Sequence, residues 1–245
     1  TLLTVKKNRR MNEYCWTLKA PLLQYVLANN RQVDFITYVD SDLFFLGNPD
    51  IMFKEWKKGS ICICRQRDMP AVEKLNGIFQ AGLIGFARDE NAMKCLAWWR
   101  QKCTEWCFDR FENGKWADQK YLDQWPNMFK GVVITKSLGI DAGSWNIIGQ
   151  SIYTKDKRIF VGNERLVVFH FSGLMMFNHS EFELCKYRPI SQEAINLIYR
   201  PYIESLRKAI NYVKRIDGNF SHGFSNNGSV REYQSYYKYK APKNK

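Results

Sequence analysis

No apolar stretch in this 245-residue chain approaches 18 residues, so no segment reads as a membrane-spanning helix. No secretory signal pattern opens the chain. No Cys-x-x-Cys pair occurs among its seven cysteines, which argues against structural zinc. An odd count in a chain this long also argues against a disulfide framework. Cys62 and Cys64 lie in an apolar run, and Cys95, Cys103 and Cys107 share one helical pattern, so the expectation is buried free thiols in a reducing cytosol. There is no internal repeat. No zinc finger, RNP-like strand or helix-turn-helix pattern supports a basic nucleic-acid-binding module.

What is present is a globular composition: 45% hydrophobic and 15% aromatic residues, enough for one large α/β domain or two small ones with a real core. The net charge is +13, and from Lys186 to Lys245 twelve Lys and Arg stand against four Asp and Glu, so this segment carries +8 of it. Such a segment seeks an anionic surface such as lipid head groups, nucleic acid or an acidic partner, or it is a solvated face.

Apolar and β-branched runs at 33–39, 60–64, 78–86, 132–135 and 166–171 read as strands. Residues 20–29 read as a short helix with Pro21 in its first turn. Helices are also expected near 50–57, 89–111 and 117–125, and the alternation predicts an α/β domain with a mostly parallel sheet flanked by helices. Near 191–215, Ile195, Ile198, Tyr202, Leu206 and Ile210 share one side, opposite Arg200, Arg207, Lys208, Lys214 and Arg215. A helix of that kind lies on an anionic membrane or packs its stripe on the domain. The expected organisation is a core over 1–185, a basic amphipathic helical extension over 186–217 and a flexible basic tail over 218–245.

The strand at 33–39 ends in Asp40-Ser41-Asp42. Two carboxylates at i and i+2 are hard oxygen ligands for Mg²⁺ or Mn²⁺, ions that share their coordination with substrate phosphates. A solvated turn or an N-cap gives the same triplet. Four further stretches accompany it. Gly82 and Gly85 sit inside Phe79–Phe86, marking a bulge or a close approach. Asp118-Gln119 stands at a helix start, as an N-cap or as a holder of sugar hydroxyls. Ser144-Trp145-Asn146 closes a small-residue loop. His170 ends the apolar run 167–171, as a core histidine or as a third metal ligand.

Taken in order, Tyr38–Phe45, Phe79–Leu83, Trp116–Leu122, Ser144–Asn146 and His170–Gly173 resemble the GT-A glycosyltransferases of the glycogenin and lipopolysaccharide-galactosyltransferase type (family 8), especially a bacterial branch of nucleotide-diphospho-sugar transferases. The resemblance spans roughly 14–175 and implies a GT-A fold. It implies that Asp40, Asp42 and His170 hold Mn²⁺ (or Mg²⁺) against the donor diphosphate. Ser41, Gln80, Ala81, Gly82 and Asn146 would line the donor, Gly173 would contact its diphosphate, and Lys19 stands where many members carry an Arg. Asp118 and Gln119 would flank the anomeric carbon as the catalytic pair. The implied activity is sugar transfer with retention, from a nucleotide-diphospho-sugar to a glycan or lipid-linked acceptor, in cell-surface polysaccharide or lipopolysaccharide synthesis. The enzyme would be cytoplasmic and peripheral at the inner membrane face, held there by the basic tail, with no specific nucleic acid bound. A non-catalytic scaffold is the alternative.

Three departures mark the chain. Gln80 replaces the family's usual Asn. Leu174–Phe177 replaces the usual Lys-Pro-Trp, so no lysine is assigned to clamp phosphate. Only 39 residues precede Asp40, so the family's first nucleotide-binding strands are expected to be missing.

Overall fold

The computed structural model describes residues 1–225 and 235–240. The chain is a mixed α/β protein that divides into two units, Thr1–Ser41 with Pro49–Asp141, and Asp42–Asn48 with Ala142–Lys245.

In the first unit, α1 (Leu2–Lys6) and α2 (Met11–Asn29) lead into β1 (Phe35–Val39). After β2 (Leu43–Phe45), which belongs to the second unit, come α3 (Asp50–Trp56), β3 (Ile61–Arg65), α4 (Pro70–Asn76), β4 (Phe79–Ala87) and α5 (Glu90–Glu105). A 3-10 turn (Lys120–Gln124), α6 (Trp125–Met128) and β5 (Val132–Ile134) complete the unit.

Its four-stranded sheet has the order β1-β4-β3-β5, with β4 antiparallel to both neighbours and β3 parallel to β5. The expected mostly parallel sheet is therefore corrected. β1, β3 and β5 do run one way, but β4 is inserted between β1 and β3 against them. The reason lies in α4, which buries none of its residues and so is no crossover helix spanning a sheet face.

β4 is a central strand with its side chains covered on both faces. Ile84 and Phe86 belong to a core with Leu23 and Leu27 of α2 and Leu96, Trp99 and Cys103 of α5. Gly85, between them, faces the other way. A Cβ there would lie 2.6 Å from the Trp56 ring of α3, so glycine is what lets that indole lie on the strand. Trp99 meets Trp125 edge-on at 5.5 Å, and such pairs contribute about 0.5–1.5 kcal/mol beyond burial.

Two helix boundaries differ from expectation. α2 begins at Met11 rather than near 20, which places Pro21 in its interior. The missing Pro21 N–H releases one carbonyl, that of Thr17, a local loss that the packing of α2 on α5 tolerates. α5 ends at Glu105 rather than Phe111, because Trp106 is extended and the next residues turn back, the Asp109 N–H bonding the Glu13 carboxylate of α2 at 2.9 Å.

The second unit contains β2, β6 (Ala142–Gly143), β7 (Ile152–Lys155), β8 (Arg158–Val161), β9 (Glu164–Arg165), β10 (Val168–His170), β11 (Met175–Met176) and β12 (Glu181–Glu183). β10 pairs antiparallel with β2 and parallel with β6. α7 (Gln192–Ala194), a π turn (Ile195–Tyr199) and α8 (Arg200–Ile216) form one continuous helical run. Pro201 falls in the first turn of α8.

This run, expected as an appended extension, is part of the unit's core. Tyr199 and Tyr202 pack on Phe171 at 5.0 and 3.9 Å, and Ile198, Ile203 and Ile210 are buried. Within the stretch expected to be loose, β13 (Tyr236–Lys238) pairs with β12, held by Tyr236 and Lys238 on the Glu181 carboxylate. The rest of that stretch, at 226–234 and 241–245, lies outside the described residues.

All seven cysteines are free thiols; six are buried and Cys15 is exposed. Among the described residues, no helix is long and apolar enough to cross a membrane.

Candidate functional site

Period-2 alternation puts Tyr38 and Asp40 on the same face of the segment that leaves β1. The Tyr38 hydroxyl donates to Asp40 Oδ1 at 2.7 Å, fixing that carboxylate, while the Asp40 N–H bonds the Gly82 carbonyl at 2.8 Å. Lys19 reaches the same place from α2. Its Nζ lies 3.0 Å from Asp118 Oδ2 and 3.2 Å from both Asp40 carboxylate oxygens, and it donates to the Ala81 carbonyl at 3.0 Å.

The register explains why side chains are needed here. Between Ile63 and Cys64 of β3 the pairing with β4 jumps from Ile84 to Gln80, so Ala81, Gly82 and Leu83 have no partner on β3. The Ala81 backbone groups bond side chains instead. Its carbonyl accepts from Lys19, and its N–H donates to Gln119 Oε1 at 3.3 Å. Gln119 Nε2 donates to Gln66 Oε1 at 3.0 Å and to the Asn76 carbonyl at 3.3 Å; Gln80 Nε2 also bonds Gln66 Oε1. Both ends of the Gln119 amide are thus occupied, Oε1 on β4 and Nε2 on Gln66 and Asn76.

Asp118 is not an N-cap. The following 3-10 turn is capped from Gln119 without a side-chain bond, and the Asp118 carboxylate points to Lys19. Its neighbour Ala117 is buried with φ at +47°, a left-handed conformation that non-glycine residues rarely adopt. The Asp118 carbonyl accepts from Trp99 Nε1 at 3.0 Å.

Burial works against the Lys19 charge, yet Asp118 and Asp40 outweigh it and push the Lys19 pKa up. Burial raises Asp118, Lys19 opposes, and Asp40 adds to the rise, leaving Asp118 above its ordinary value. Burial also raises Tyr38, against Lys19 and with Asp40, so the phenol keeps the proton it donates.

In the second unit, Asp42 and His170 are brought together by the β2–β10 ladder. The Phe171 N–H bonds the Asp42 carbonyl at 2.8 Å, and His170 Nε2 stands 3.2 Å from Asp42 Oδ1. Asp40 is two residues from Asp42 in the chain. Asp40, Asp42 and His170 each offer one ligand atom, and these atoms lie within 4.8 Å of one another. Two carboxylate oxygens and one imidazole nitrogen fit Mn²⁺ or Mg²⁺ completed by water or phosphate oxygens.

Trp145 stands edge-on to His170 at 5.4 Å. It does so because Gly143, paired with His170, has no side chain: a Cβ would lie 2.3 Å from the Trp145 ring. Asn146 holds this loop through Oδ1, which accepts from the Gly143 N–H at 2.9 Å. Gly173 has φ at +83°, with Tyr187 packed where a Cβ would go.

The structure therefore gathers Lys19, Asp40, Gln80, Ala81, Gly82, Asp118 and Gln119 in the first unit, and Asp42, Asn146 and His170 in the second. Ser41 lies exposed between the two aspartates. Sequence reasoning gave no role to Tyr38, Gln66 or Trp145. Tyr38 carried a signal in its i, i+2 spacing to Asp40 and Trp145 in the Ser144-Trp145-Asn146 stretch, whereas Gln66 carried none.

Together these features define a mixed α/β protein with a two-carboxylate, one-histidine cluster beside a buried Lys–Asp pair. No family model matches the chain. The uncharacterized protein YfnD of Bacillus subtilis (strain 168) is 34% identical to it over 229 residues, 91% of this chain and 74% of YfnD. The uncharacterized protein YfnF of the same organism is 30% identical over 234 residues, 91% of this chain and 76% of YfnF. The chain belongs to the family of YfnD and YfnF.

Proposed function

We propose that this chain is a metal-dependent glycosyltransferase of GT-A type, moving a sugar with retention from a nucleotide-diphosphate donor to a glycan or lipid-linked acceptor. The observation that carries this reading is the Asp40–Asp42–His170 cluster, whose ligand atoms lie within 4.8 Å. Its donor set suits a cation that shares its coordination with a diphosphate. When bound, Mn²⁺ or Mg²⁺ supplies neutralisation of the charge that develops on the leaving diphosphate.

The chain's own residues do the rest. Tyr38 and Lys19 fix the Asp40 carboxylate and leave it little rotational freedom. Asp118, held by Lys19, places negative charge where an oxocarbenium-like carbon develops positive charge. Gln119 acts by positioning the Ala81 segment that lines the donor. Cytoplasmic work at an anionic membrane face is part of the same proposal: Tyr212 and Ile216 stand exposed on α8 beside Lys214 and Arg215.

The test is nucleotide release from a panel of nucleotide-diphospho-sugars, with and without Mn²⁺. The expected result is metal-dependent release that Asp42→Asn abolishes. Full Mn²⁺-dependent turnover by Asp42→Asn overturns the proposal.

A further inference from the structure

On the first unit, a cleft of about 500 Å³ is lined by Lys7, Asn8, Arg9, Arg10, Glu13, Phe108, Asp109 and Arg110. It shares no residue with the Asp40–Asp42–His170 cluster. Its two carboxylates are already engaged. Glu13 accepts from the Arg10 N–H at 2.7 Å, the Asp109 N–H at 2.9 Å and the Arg10 guanidinium at 3.1 Å. Asp109 meets the Arg10 guanidinium at 3.3 Å and accepts from Asn12 at 3.2 Å. Glu13 is buried and so ties the start of α2 to the 108–110 loop, making the cleft a built feature rather than two neighbouring surface loops.

The remaining cations are held in place, and among the described residues Arg9 has no carboxylate partner. The Arg9 guanidinium stacks on the Phe108 ring at 3.8 Å, and the Arg110 guanidinium stacks on the same ring at 4.3 Å. Stacking fixes the plane of a guanidinium while leaving its in-plane N–H groups free to bond, which suits it to grip an oxyanion bidentately. Arg9 makes no ion pair among the described residues, and its Nε is buried without a hydrogen-bond partner there. Arg110 is paired through its Nε with Glu112 at 2.7 Å, and its terminal NH₂ groups have no hydrogen-bond partner among the described residues. Lys7 stands exposed at the rim.

Like charges converging in a concavity, with one donor already out of water, cost free energy that a bound anion offsets. We propose that the cleft of Lys7, Arg9, Phe108 and Arg110 is a binding site for a phosphate-type oxyanion. The group is a phosphate or diphosphate, carried by a soluble ligand or by a lipid head group.

The experiment is calorimetric titration of the full chain with inorganic pyrophosphate in the absence of divalent metal, repeated with Arg9→Gln/Arg110→Gln and with Asp42→Asn. Binding is expected, weakened about tenfold or more in the double variant as charge-assisted hydrogen bonds are lost, and unchanged in Asp42→Asn. Thermal unfolding checks that the double variant folds; Lys7→Gln, at an exposed position, replaces it otherwise and is expected to weaken binding in the same direction. A second arm measures binding to phosphatidylcholine vesicles with and without phosphatidate. Loss in the variant on phosphatidate vesicles identifies a lipid phosphate, and loss on pyrophosphate alone identifies a soluble one. Equal affinity of variant and parent in both arms, or no binding in either, overturns the proposal. Loss of turnover in Asp42→Asn leaves this result untouched, so the two proposals fail separately.

Discussion

Lys19 and Asp118 stand 99 positions apart in the chain and meet in an ion pair 3.0 Å long, with both side chains only 4% exposed. Among the described residues Lys19 is the cation found between Asp118 and Asp40, so it does more than hold a partner. It allows two carboxylates to occupy one small region.

Lys19→Met removes that compensation. A buried pair broken from one side typically costs about 3–5 kcal/mol, because the partner's charge stays buried. Urea unfolding is expected to show a loss of that order. The double variant Lys19→Met/Asp118→Leu is expected to lose less than the sum of the two single variants, and additivity would refute the coupling.

Metal binding has its own readout. Mn²⁺ is expected to raise the thermal unfolding midpoint, since free ligand at 100 times its dissociation constant stabilises by about 2.7 kcal/mol. Chelation with EDTA reverses the shift. His170→Ala and Asp42→Asn are expected to remove most of it while leaving the metal-free midpoint little changed.

Gly143→Ala tests how Trp145 reaches His170. The added methyl would lie 2.3 Å from the indole, so the ring must move. Overpacking of this kind costs about 1–3 kcal/mol. The expected outcome is that loss in chemical denaturation together with weaker Mn²⁺ binding. Unchanged stability would mean the loop repacks freely.

Acid sensitivity centres on Glu13. Burial alone would raise its carboxyl, but hydrogen bonds from the Asp109 and Arg10 backbone, and then the Arg10 guanidinium, outweigh this and hold it below the ordinary carboxylate value. A depressed folded pKa contributes stability that is full above the unfolded value and is lost as pH falls through the folded one. Stability is thus expected to drop on acidification below the ordinary glutamate range. Glu13→Gln should flatten that part of the profile; an identical slope in the variant would remove Glu13 as its source.

The parts of the site legible in the sequence are those that local chain geometry enforces. Asp40 and Asp42 are tied by one intervening residue, and His170 ends a run whose apolar character already marks a strand. Lys19–Asp118 was not legible as a pair, since nothing local links an α2 lysine to a loop so far downstream. Pro21 misled in a specific way: its preference for first turns hid nine further helical residues upstream, where tertiary packing on α5 overrides the cost of an interior proline. The sheet was expected to be mostly parallel; β1, β3 and β5 run one way, but only β3 and β5 pair in parallel. The insertion of β4 against them was hidden, because α4 looks like a crossover helix until its lack of burial is seen. Arg9 and Arg110 on Phe108 left no pattern in the sequence, since their meeting depends on a buried Glu13 drawing two distant loops together.

The distribution of thiols has a practical consequence. Six cysteines are enclosed and Cys15 is exposed, one helical turn before Lys19 on α2. A maleimide added to the native protein should therefore attach once, and to the denatured protein seven times. Intact mass after a brief labelling pulse then counts folded and unfolded molecules directly, and a fluorophore on that single native adduct reports from the helix that delivers Lys19.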